Sequence, residues 1–291
     1  MKRILGFLCG LLLAAVQAQA EPSVDAVSRI VIPVSDLGRL TSFYASALTF
    51  EADEGSAASG VIMRLGTETI ELVQAGGRGL PADSHSNDRW FQHLAIVVSD
   101  IDRAYAQVLR AGATPISAGP QTLPVWNPNA SGIKAVYFRD PDGHPLELIQ
   151  FPPGKGAPRW QGKDRLFLGI DHAAIATGDT ESSLAFYRDR LGLQIAGTSE
   201  NWGIEQEHLS GVAGAHVRIT TLRAQSGPGI EFLQYLMPQD GRPMPADTGL
   251  DDLWADQILL IGEHFRGPGE RLRDPDGHII RIVTPNEERL P

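Results

Sequence analysis

The sequence predicts an α+β fold built from four copies of one module, each with a strand, a helix and further strands. Three segments share an opening strand-like run in which an aspartate follows the first residue by seven positions, namely 29–36, 93–100 and 172–179. Three segments share a closing run of an apolar residue, a glutamate, two apolar residues and a glutamine, around Glu71, Glu147 and Glu231. A fourth, degraded copy has Gln257 and Arg281 at the equivalent positions. Because internal repeats define an architecture before any single residue is interpreted, these copies determine the predicted fold class.

Residues 1–20 have the pattern of a secretory signal peptide rather than of a folded element. Two basic residues precede a short apolar run (4–16), and Ala-Gln-Ala at 18–20 is typical of a cleavage site. The run is shorter than the ~20 apolar residues that span a bilayer. We therefore expect cleavage after Ala20 and a periplasmic or secreted protein.

The composition limits both the partners and the kind of site. Cys9 is the only cysteine and lies in the expected signal peptide, so any metal site in the mature chain must use histidine and carboxylate ligands. The chain has 25 Lys plus Arg against 35 Asp plus Glu, a formal net charge of −10. This charge disfavours nucleic acid and anionic lipid, so we expect no nucleic-acid or membrane partner. The expected protein is a monomer or homodimer with a small-molecule substrate.

An amphipathic helix is predicted after the first strand of each of the first three modules. Asp36 and Asp179 are expected N-caps, and a Phe-Tyr pair follows each by seven and eight residues. In the last module only 24 positions separate Gln257 from Arg281. This spacing leaves no room for the helix, so the last module is predicted to be truncated.

The pentapeptide Asp-Pro-Asp-Gly-His occurs twice between apolar runs, at 140–144 and 274–278. Asp-Gly in this context predicts a hairpin turn, and we expect no chemical role for His144 and His278. A proline- and glycine-rich stretch follows the second module and is predicted to be a linker. The predicted boundaries are 1–20 for the signal peptide, 24–152 for the first domain, 153–165 for the linker and 166–285 for the second domain.

Modules of this kind, used in pairs with candidate ligands on the first and last strands, resemble the vicinal oxygen chelate superfamily. That superfamily includes glyoxalase I, extradiol dioxygenases, methylmalonyl-CoA epimerase and the fosfomycin and bleomycin resistance proteins. The Phe-Tyr helices and the Asp-Pro-Asp-Gly-His hairpin, followed three residues later by Glu147, carry the resemblance over essentially the whole mature chain. It implies two tandem domains of paired βαβββ modules that form curled mixed sheets. It says little about the reaction, because one scaffold carries lyases, isomerases, dioxygenases and binding proteins.

Eight repeat positions are candidates for a site, and the pairing of modules decides which of them meet. If modules pair within each half, each site contains an arginine, which cannot be a metal ligand. If they pair across the halves, as in the fused glyoxalases that the chain resembles, the second and third modules bring together His93, Glu147, His172 and Glu231. The first and fourth modules then bring together Arg29, Glu71, Gln257 and Arg281. We prefer the crossed pairing because it explains all eight positions by one intact and one degraded site.

Two histidines and two carboxylates suit one divalent metal ion, and the sequence does not choose among Zn, Ni, Fe, Mn and Co. By resemblance to glyoxalases, the metal polarises a substrate carbonyl, and Glu147 or Glu231 is the base that moves a proton between neighbouring carbons. The expected function is thus an exported, metal-dependent isomerase or lyase acting on a small oxygen-rich substrate.

Two alternatives remain open. One is an extradiol-type ring-cleaving dioxygenase that uses Fe(II) held by His93, His172 and Glu147, in which Glu231 would be an additional carboxylate. The other is a non-catalytic protein that binds a small molecule or an antibiotic. Aromatic residues near the expected mouth include Trp126, whose loop (123–132) is long enough to be a lid, and Trp202. For Trp90 we expect only a filling role.

Overall fold

The computed structural model describes residues 23–53, 60–263 and 270–288, so the expected signal peptide lies outside the described residues. The described strands, in chain order, are β1 (Ser23–Val34), β2 (Glu51–Ala52), β3 (Gly60–Leu65), β4 (Glu68–Gln74), β5 (Gln92–Val98), β6 (Thr114–Pro115), β7 (Gln121–Thr122), β8 (Lys134–Arg139), β9 (Pro145–Gln150), β10 (Phe167–Ala176), β11 (Gln194–Trp202), β12 (His216–Arg223), β13 (Gly229–Met237), β14 (Gln257–Glu263), β15 (Glu270–Arg273) and β16 (Ile279–Val283).

The helices are α1 (Leu37–Leu48), α2 (Ile101–Arg110), α3 (Thr180–Leu184), α4 (Ile204–Ser210) and α5 (Pro285–Glu288). A π-helical segment, Ala185–Arg190, continues α3, and a short 3-10 helix covers Pro158–Gln161. In the part of the chain that the structure describes, no helix is long and apolar enough to cross a membrane.

The strands form two curled mixed sheets, which confirms the predicted α+β class. The seven-stranded sheet has the order β15-β16-β14-β1-β4-β3-β2, and the nine-stranded sheet has the order β11-β12-β13-β10-β5-β9-β8-β6, with β7 paired to β8. The first sheet therefore joins the first and fourth modules through β1 and β14, and the second joins the second and third modules through β5 and β10. This is the crossed pairing of modules.

Each long helix begins at an aspartate whose side chain accepts a hydrogen bond from a backbone N–H of the first turn. These residues are Asp36, Asp100 and Asp179. Caps of this kind stabilise a helix by ~1 kcal/mol. The helices bury the predicted Phe-Tyr pairs, of which Tyr44 and Tyr187 are fully inaccessible to solvent.

The main apolar core joins α1, α2 and α3 to strands of both sheets. Because successive strand residues face opposite sides of a sheet, Ala173 packs into this core while Ala174 faces the other side of the nine-stranded sheet. A second apolar cluster lies on that other side. This concave side of the sheet is where the candidate site forms.

Both Asp-Pro-Asp-Gly-His pentapeptides form hairpin turns, and their histidines also anchor the hairpins. The left-handed backbone that the turns require is provided by Gly143 and Gly277, at φ 98° and 100°. His144 Nε2 donates to the carbonyl oxygen of Pro33 (3.0 Å), and His278 Nε2 donates to that of Ala176 (2.8 Å). The hairpins of the second and fourth modules are thereby attached to the first strands of the first and third modules. Both histidines thus have a structural role.

Two loops form reciprocal contacts between the halves of the chain. Arg78 donates to both carboxylate oxygens of Asp252, at 2.9 and 2.6 Å, and Arg242 donates to both of Asp88, at 2.9 and 2.7 Å. Each arginine also lies over a tryptophan of the other half, Trp254 for Arg78 at 4.9 Å and Trp90 for Arg242 at 4.7 Å. The crossed pairing of the sheets is therefore reinforced by two equivalent forked ion pairs, which the sequence analysis did not predict.

Candidate metal centre

Four adjacent strands, in the order β13-β10-β5-β9, contribute one candidate side chain each. The register places Glu147 beside Ala95 and Glu231 beside Ala174, so both glutamates share the concave face with His93 and His172. Ala95 lies between Glu147 and His172, and Ala174 lies between Glu231 and His93. No large side chain therefore separates the imidazoles from the carboxylates.

Three of the four side chains meet closely. The imidazole centroids of His93 and His172 are 5.7 Å apart. Oε2 of Glu147 lies 3.1 Å from His93 Nε2 and 3.4 Å from His172 Nε2. Among the described residues, these three form a group whose ligand atoms all lie within 4.8 Å of one another.

The donor atoms of this group fit a divalent cation. His93 Nε2 and His172 Nε2 are both shut off from solvent, yet neither makes a hydrogen bond within the described residues. Both lie near Glu147, but the orientation of the groups is not that of a hydrogen bond. Buried polar atoms left without a partner are costly, and a metal ion bound by both nitrogens and the carboxylate removes that cost. A buried group of two imidazoles and one carboxylate therefore has the chemistry of a metal site.

Glu231 lies at the edge of this group, on the side of an adjoining cavity. Its Oε1 is 3.5 Å from His172 Nε2, and its Oε2 accepts a hydrogen bond from the Thr221 hydroxyl at 2.8 Å. Its side chain is 16% exposed, against 6% for Glu147. The structure thus brings all four predicted residues together, with Glu147 enclosed and Glu231 accessible.

His172 is oriented by groups that the sequence analysis did not identify. Its Nδ1 lies 3.0 Å from Asp171 Oδ2, and since a carboxylate only accepts, Nδ1 carries a proton and Nε2 faces the centre. Asp171 Oδ1 in turn accepts hydrogen bonds from Trp160 Nε1 (3.1 Å) and Arg223 (3.0 Å). The sequence signal that could have revealed this network is Asp171 itself, an acidic residue directly before His172 in an otherwise apolar strand.

His93 is held differently. Its Nδ1 is buried and has no hydrogen-bond partner in the described part of the chain. Its ring packs against Tyr137 and Phe91, with ring centroids 4.7 and 5.7 Å away. The two histidines of the site are therefore unequal, one fixed by a carboxylate and one by aromatic packing.

Opposite charges stabilise the side chains of this group. Burial by itself would raise the pKa of Glu147, but the neighbouring His172 and His93 lower this pKa to about 2. Burial would lower the pKa of His172, but Glu231, Asp171 and Glu147 together raise it well above its usual value. The carboxylates and His172 thus stabilise each other's charged forms.

A cavity of about 690 Å³ opens from the site along the concave face of the nine-stranded sheet, with Glu147, His172 and Glu231 on its wall. The loop predicted to be a lid contributes Leu123, Asn129 and Ala130 to the wall, and its Trp126 stacks on Trp202 with ring centroids 3.9 Å apart. Trp90 is buried and does not line this cavity, but it does more than fill space, because it packs under the guanidinium of Arg242.

The four equivalent positions of the seven-stranded sheet do not form such a group. Arg29 donates to Glu71 at 3.1 Å, so a guanidinium stands where a cation would bind. Among the described residues, neither Gln257 Oε1 nor Arg281 Nε has a hydrogen-bond partner. This is the arrangement expected of a degraded site.

Comparison with known proteins identifies the family. The sequence profile described as the Glyoxalase/Bleomycin resistance protein/Dioxygenase superfamily matches residues 26–148 and 169–282. The chain belongs to this superfamily. The two matched segments show that it is a tandem member, as the repeats predict.

The proteins that this superfamily member resembles include a virulence protein, a glyoxalase and a putative dioxygenase. Its sequence is 26% identical over 129 residues to virulence protein STM3117 of Salmonella typhimurium strain LT2, covering 44% of this chain and 85% of that protein. Its structure is similar to glyoxalase I from Zea mays (TM-score 0.60, 14% identity, 92% of this chain and 94% of that one). It is also similar to a putative dioxygenase from Bacillus subtilis strain 168 (TM-score 0.55, 15% identity, 91% and 86%). At these identities the structural likeness shows the fold alone.

Proposed function

We propose that this protein is a metal-dependent enzyme of the glyoxalase type, an isomerase or lyase that moves a proton between neighbouring carbons of an oxygen-rich substrate. The observation that carries the proposal is the pair of buried imidazole nitrogens without hydrogen-bond partners, both within 3.4 Å of Glu147 Oε2. Such nitrogens are suited to bind one divalent metal ion.

His93, Glu147 and His172 would hold the ion. Glu231 lies beside the cavity, where it can act as a further ligand or as a base. A divalent ion in such a site polarises a substrate carbonyl and stabilises the negative charge that develops on its oxygen. Glu147 is enclosed by the two histidines, so its carboxylate is not free to approach a substrate carbon. We therefore assign the base to Glu231, whose Oε1 takes the proton while the Thr221 hydroxyl holds Oε2 in place.

Metal analysis of the purified protein tests the centre. We expect one divalent ion per chain, loss of that ion in His172→Ala, and retention in His208→Ala, a matched change of an exposed histidine outside the site. A wild-type chain that takes up no divalent ion would leave binding of a small molecule as the better explanation of the cavity.

Proton transfer can be tested without knowledge of the natural substrate. An α-hydroxyketone such as dihydroxyacetone, incubated in heavy water with the metal-loaded protein, should exchange a carbon-bound hydrogen for deuterium, which NMR measures. We expect Glu231→Gln to retain the metal but to slow this exchange ~100-fold or more, the usual contribution of a general base. Exchange at the wild-type rate in this variant would contradict the assignment.

A second candidate function is supported by the composition of the close group itself. His93, His172 and Glu147 are two histidines and one carboxylate, the set that holds Fe(II) in many oxygenases. A ring-cleaving dioxygenase would consume oxygen when the Fe(II)-loaded protein is given catechol. Oxygen consumption that His172→Ala abolishes would favour this function over the isomerase.

We also propose that the protein is exported, as the pattern of residues 1–20 indicates. Expression of the full chain in a bacterium should yield a periplasmic protein whose N-terminal residue is Glu21. A cytoplasmic protein that retains Met1 would contradict export.

A further inference from the structure

Two side chains on the cavity wall carry a permanent positive charge. Among the described residues that line the cavity, Arg159 and Arg223 are the only arginines, and there is no lysine. A guanidinium cannot be deprotonated in a protein, so both side chains remain cations. The whole chain has a formal net charge of −10, so these cations do not simply reflect its composition.

Both guanidiniums are neighbours of one indole ring. The guanidinium carbon of Arg159 lies 4.0 Å from the centroid of the Trp160 ring. Trp160 Nε1 and Arg223 Nη2 donate to the same oxygen, Asp171 Oδ1, at 3.1 and 3.0 Å. The two cations therefore lie at the same end of the cavity. Stacking on the indole also fixes the plane of the Arg159 guanidinium and leaves its edges for hydrogen bonds.

Each arginine uses only part of its donor capacity. Arg159 donates to Thr67 and Glu68, in both cases through Nη1, and Arg223 donates twice to Asp171, through Nη1 and Nη2. Since a guanidinium has five N–H groups, three on each arginine have no partner within the described residues, including both Nε–H groups. For Arg159 the free groups, on Nε and Nη2, form the fork that matches a carboxylate or a phosphate.

The acids that pair with these arginines are hidden, whereas the arginines are not. The side chains of Asp171 and Glu68 are 12% and 4% exposed, against 37% and 43% for Arg223 and Arg159. Asp171 also accepts from His172 Nδ1, and Glu68 also accepts from the backbone N–H of Ile170. An anion that enters the cavity therefore meets the guanidinium edges, while the charge of each carboxylate is already compensated by other donors.

This end of the cavity adjoins the candidate metal centre. Arg223 lies two residues after Thr221 on the same face of β12, which places it about 7 Å further along the wall. Thr221 holds Glu231 through its hydroxyl, and Asp171 directly precedes His172. A single small molecule can therefore reach the centre and the arginines at once.

We propose that the end of the cavity formed by Arg159, Trp160 and Arg223 binds an acidic group of the substrate, either a carboxylate or a phosphate. The proton transfer then acts on an oxygen-rich acid, whose reacting oxygens lie at the metal centre while the guanidiniums hold its charge. This inference rests on the proposed function and deepens it, because it names the class of substrate and the residues that select it.

Three probes that share one ring test the charge preference: phenyl phosphate, benzoate and benzamide. In NMR titrations of the metal-free full chain, we expect both anions to bind about tenfold more tightly than neutral benzamide, because charge-assisted hydrogen bonds to a guanidinium are the stronger kind. The preference should shrink as sodium chloride is added, since salt screens half-exposed charges. The anion that binds more tightly identifies the acidic group, and equal binding of all three probes would overturn the proposal.

Arg159→Gln and Arg223→Gln each remove a charge and keep an amide that can still donate to Glu68 or Asp171. Each change should weaken both anions about three- to tenfold and leave benzamide within about twofold of the wild type. Arg218→Gln is the matched control. Arg218 lies on the same strand as Arg223, is 45% exposed and pairs with Glu200, but it faces the opposite side of the sheet and does not line the cavity. This control should alter none of the three affinities.

A structural role of the arginines gives a different pattern. If they only hold Asp171 and Glu68 in place, the glutamine variants should weaken all three probes equally, and that result would overturn the proposal. Arg159→Lys and Arg223→Lys keep the charge without the fork, so they should retain part of the preference for anions that the glutamine variants lose.

Hydrogen exchange in heavy water relates this site to the proposed enzyme. With the Zn²⁺-loaded protein, dihydroxyacetone phosphate should exchange with a kcat/KM about tenfold above that of dihydroxyacetone, and Arg223→Gln should remove the difference. The anion preference in a chain that binds no metal and exchanges neither compound would refute the enzyme and keep this inference. Exchange of both compounds with equal kcat/KM would keep the enzyme and overturn this inference.

Discussion

At the level of single residues, the two histidines of the site differ in the groups that orient their rings. His172 is fixed by Asp171, which is itself held by Trp160 and Arg223. His93 has aromatic rings around it and no hydrogen-bond partner for Nδ1 in the described residues. A carboxylate behind a ligating imidazole fixes its tautomer and strengthens its bond to the metal. Asp171 should therefore matter to metal binding although it does not face the centre.

Asp171→Asn should lower the affinity for Zn²⁺ about 10- to 100-fold, because the single oxygen of an amide cannot accept from His172 Nδ1 on one side and from Trp160 and Arg223 on the other. The affinity is measured by competition with a chromogenic chelator. Asp164→Asn, which changes an exposed aspartate whose side chain is 77% accessible, should leave it unchanged. Equal affinities of the wild type and Asp171→Asn would show that the contact does not orient a metal ligand.

At the level of elements, the Asp-Pro-Asp-Gly-His hairpin joins consecutive modules that do not share a sheet. Its His144 donates through both ring nitrogens, to Asp140 at 2.9 Å and to the carbonyl of Pro33 at 3.0 Å. Two acceptors require the doubly protonated ring. Burial acts to lower the pKa of His144, but Asp140 raises it from 6.5 to about 9.

The sign of the resulting pH dependence follows from that shift. Because the folded-state pKa of His144, about 9, exceeds the unfolded value of 6.5, its contribution to stability is complete below pH 6.5 and is lost as the pH rises through 9. The free energy of unfolding should fall by up to about 3 kcal/mol over this window. Urea unfolding at several pH values measures it, and His144→Gln should lack this component of the slope. An identical slope in that variant would contradict the assignment to His144.

At the level of the whole molecule, the crossed sheets and the two forked arginine pairs connect the same two halves. The carboxylate of Asp88 is nearly inaccessible, with a side chain only 2% exposed, and accepts two hydrogen bonds from Arg242. The arginine itself is 40% exposed, so solvent screening reduces the value of the pair.

Asp88→Asn should lower the free energy of unfolding by about 1–2 kcal/mol, since an amide cannot accept both hydrogen bonds of the fork. Chemical denaturation provides the measurement, and Asp251→Asn, at an exposed neighbour of the equivalent loop, is the control. No loss of stability would mean that sheet pairing alone holds the halves together.

The repeated runs of the chain were enough to indicate the superfamily, the strand-helix-strand module and the short last copy, because strand alternation and helix caps are local patterns. They also indicated which positions would lie on the same face of neighbouring strands, because equivalent residues of repeated modules occupy equivalent places. The asymmetry among the copies pointed to one site and one degraded counterpart.

Other features were decided only by tertiary packing. The enclosure of Glu147, the accessibility of Glu231, the contacts of Asp171 with Trp160 and Arg223 and the volume of the cavity all depend on side chains that are separated in the chain. None of them follows a periodic pattern, since each arises where different elements meet. The sequence alone thus predicts which side chains can form the site. The packing of the modules determines how those side chains are arranged and what size of molecule can reach them.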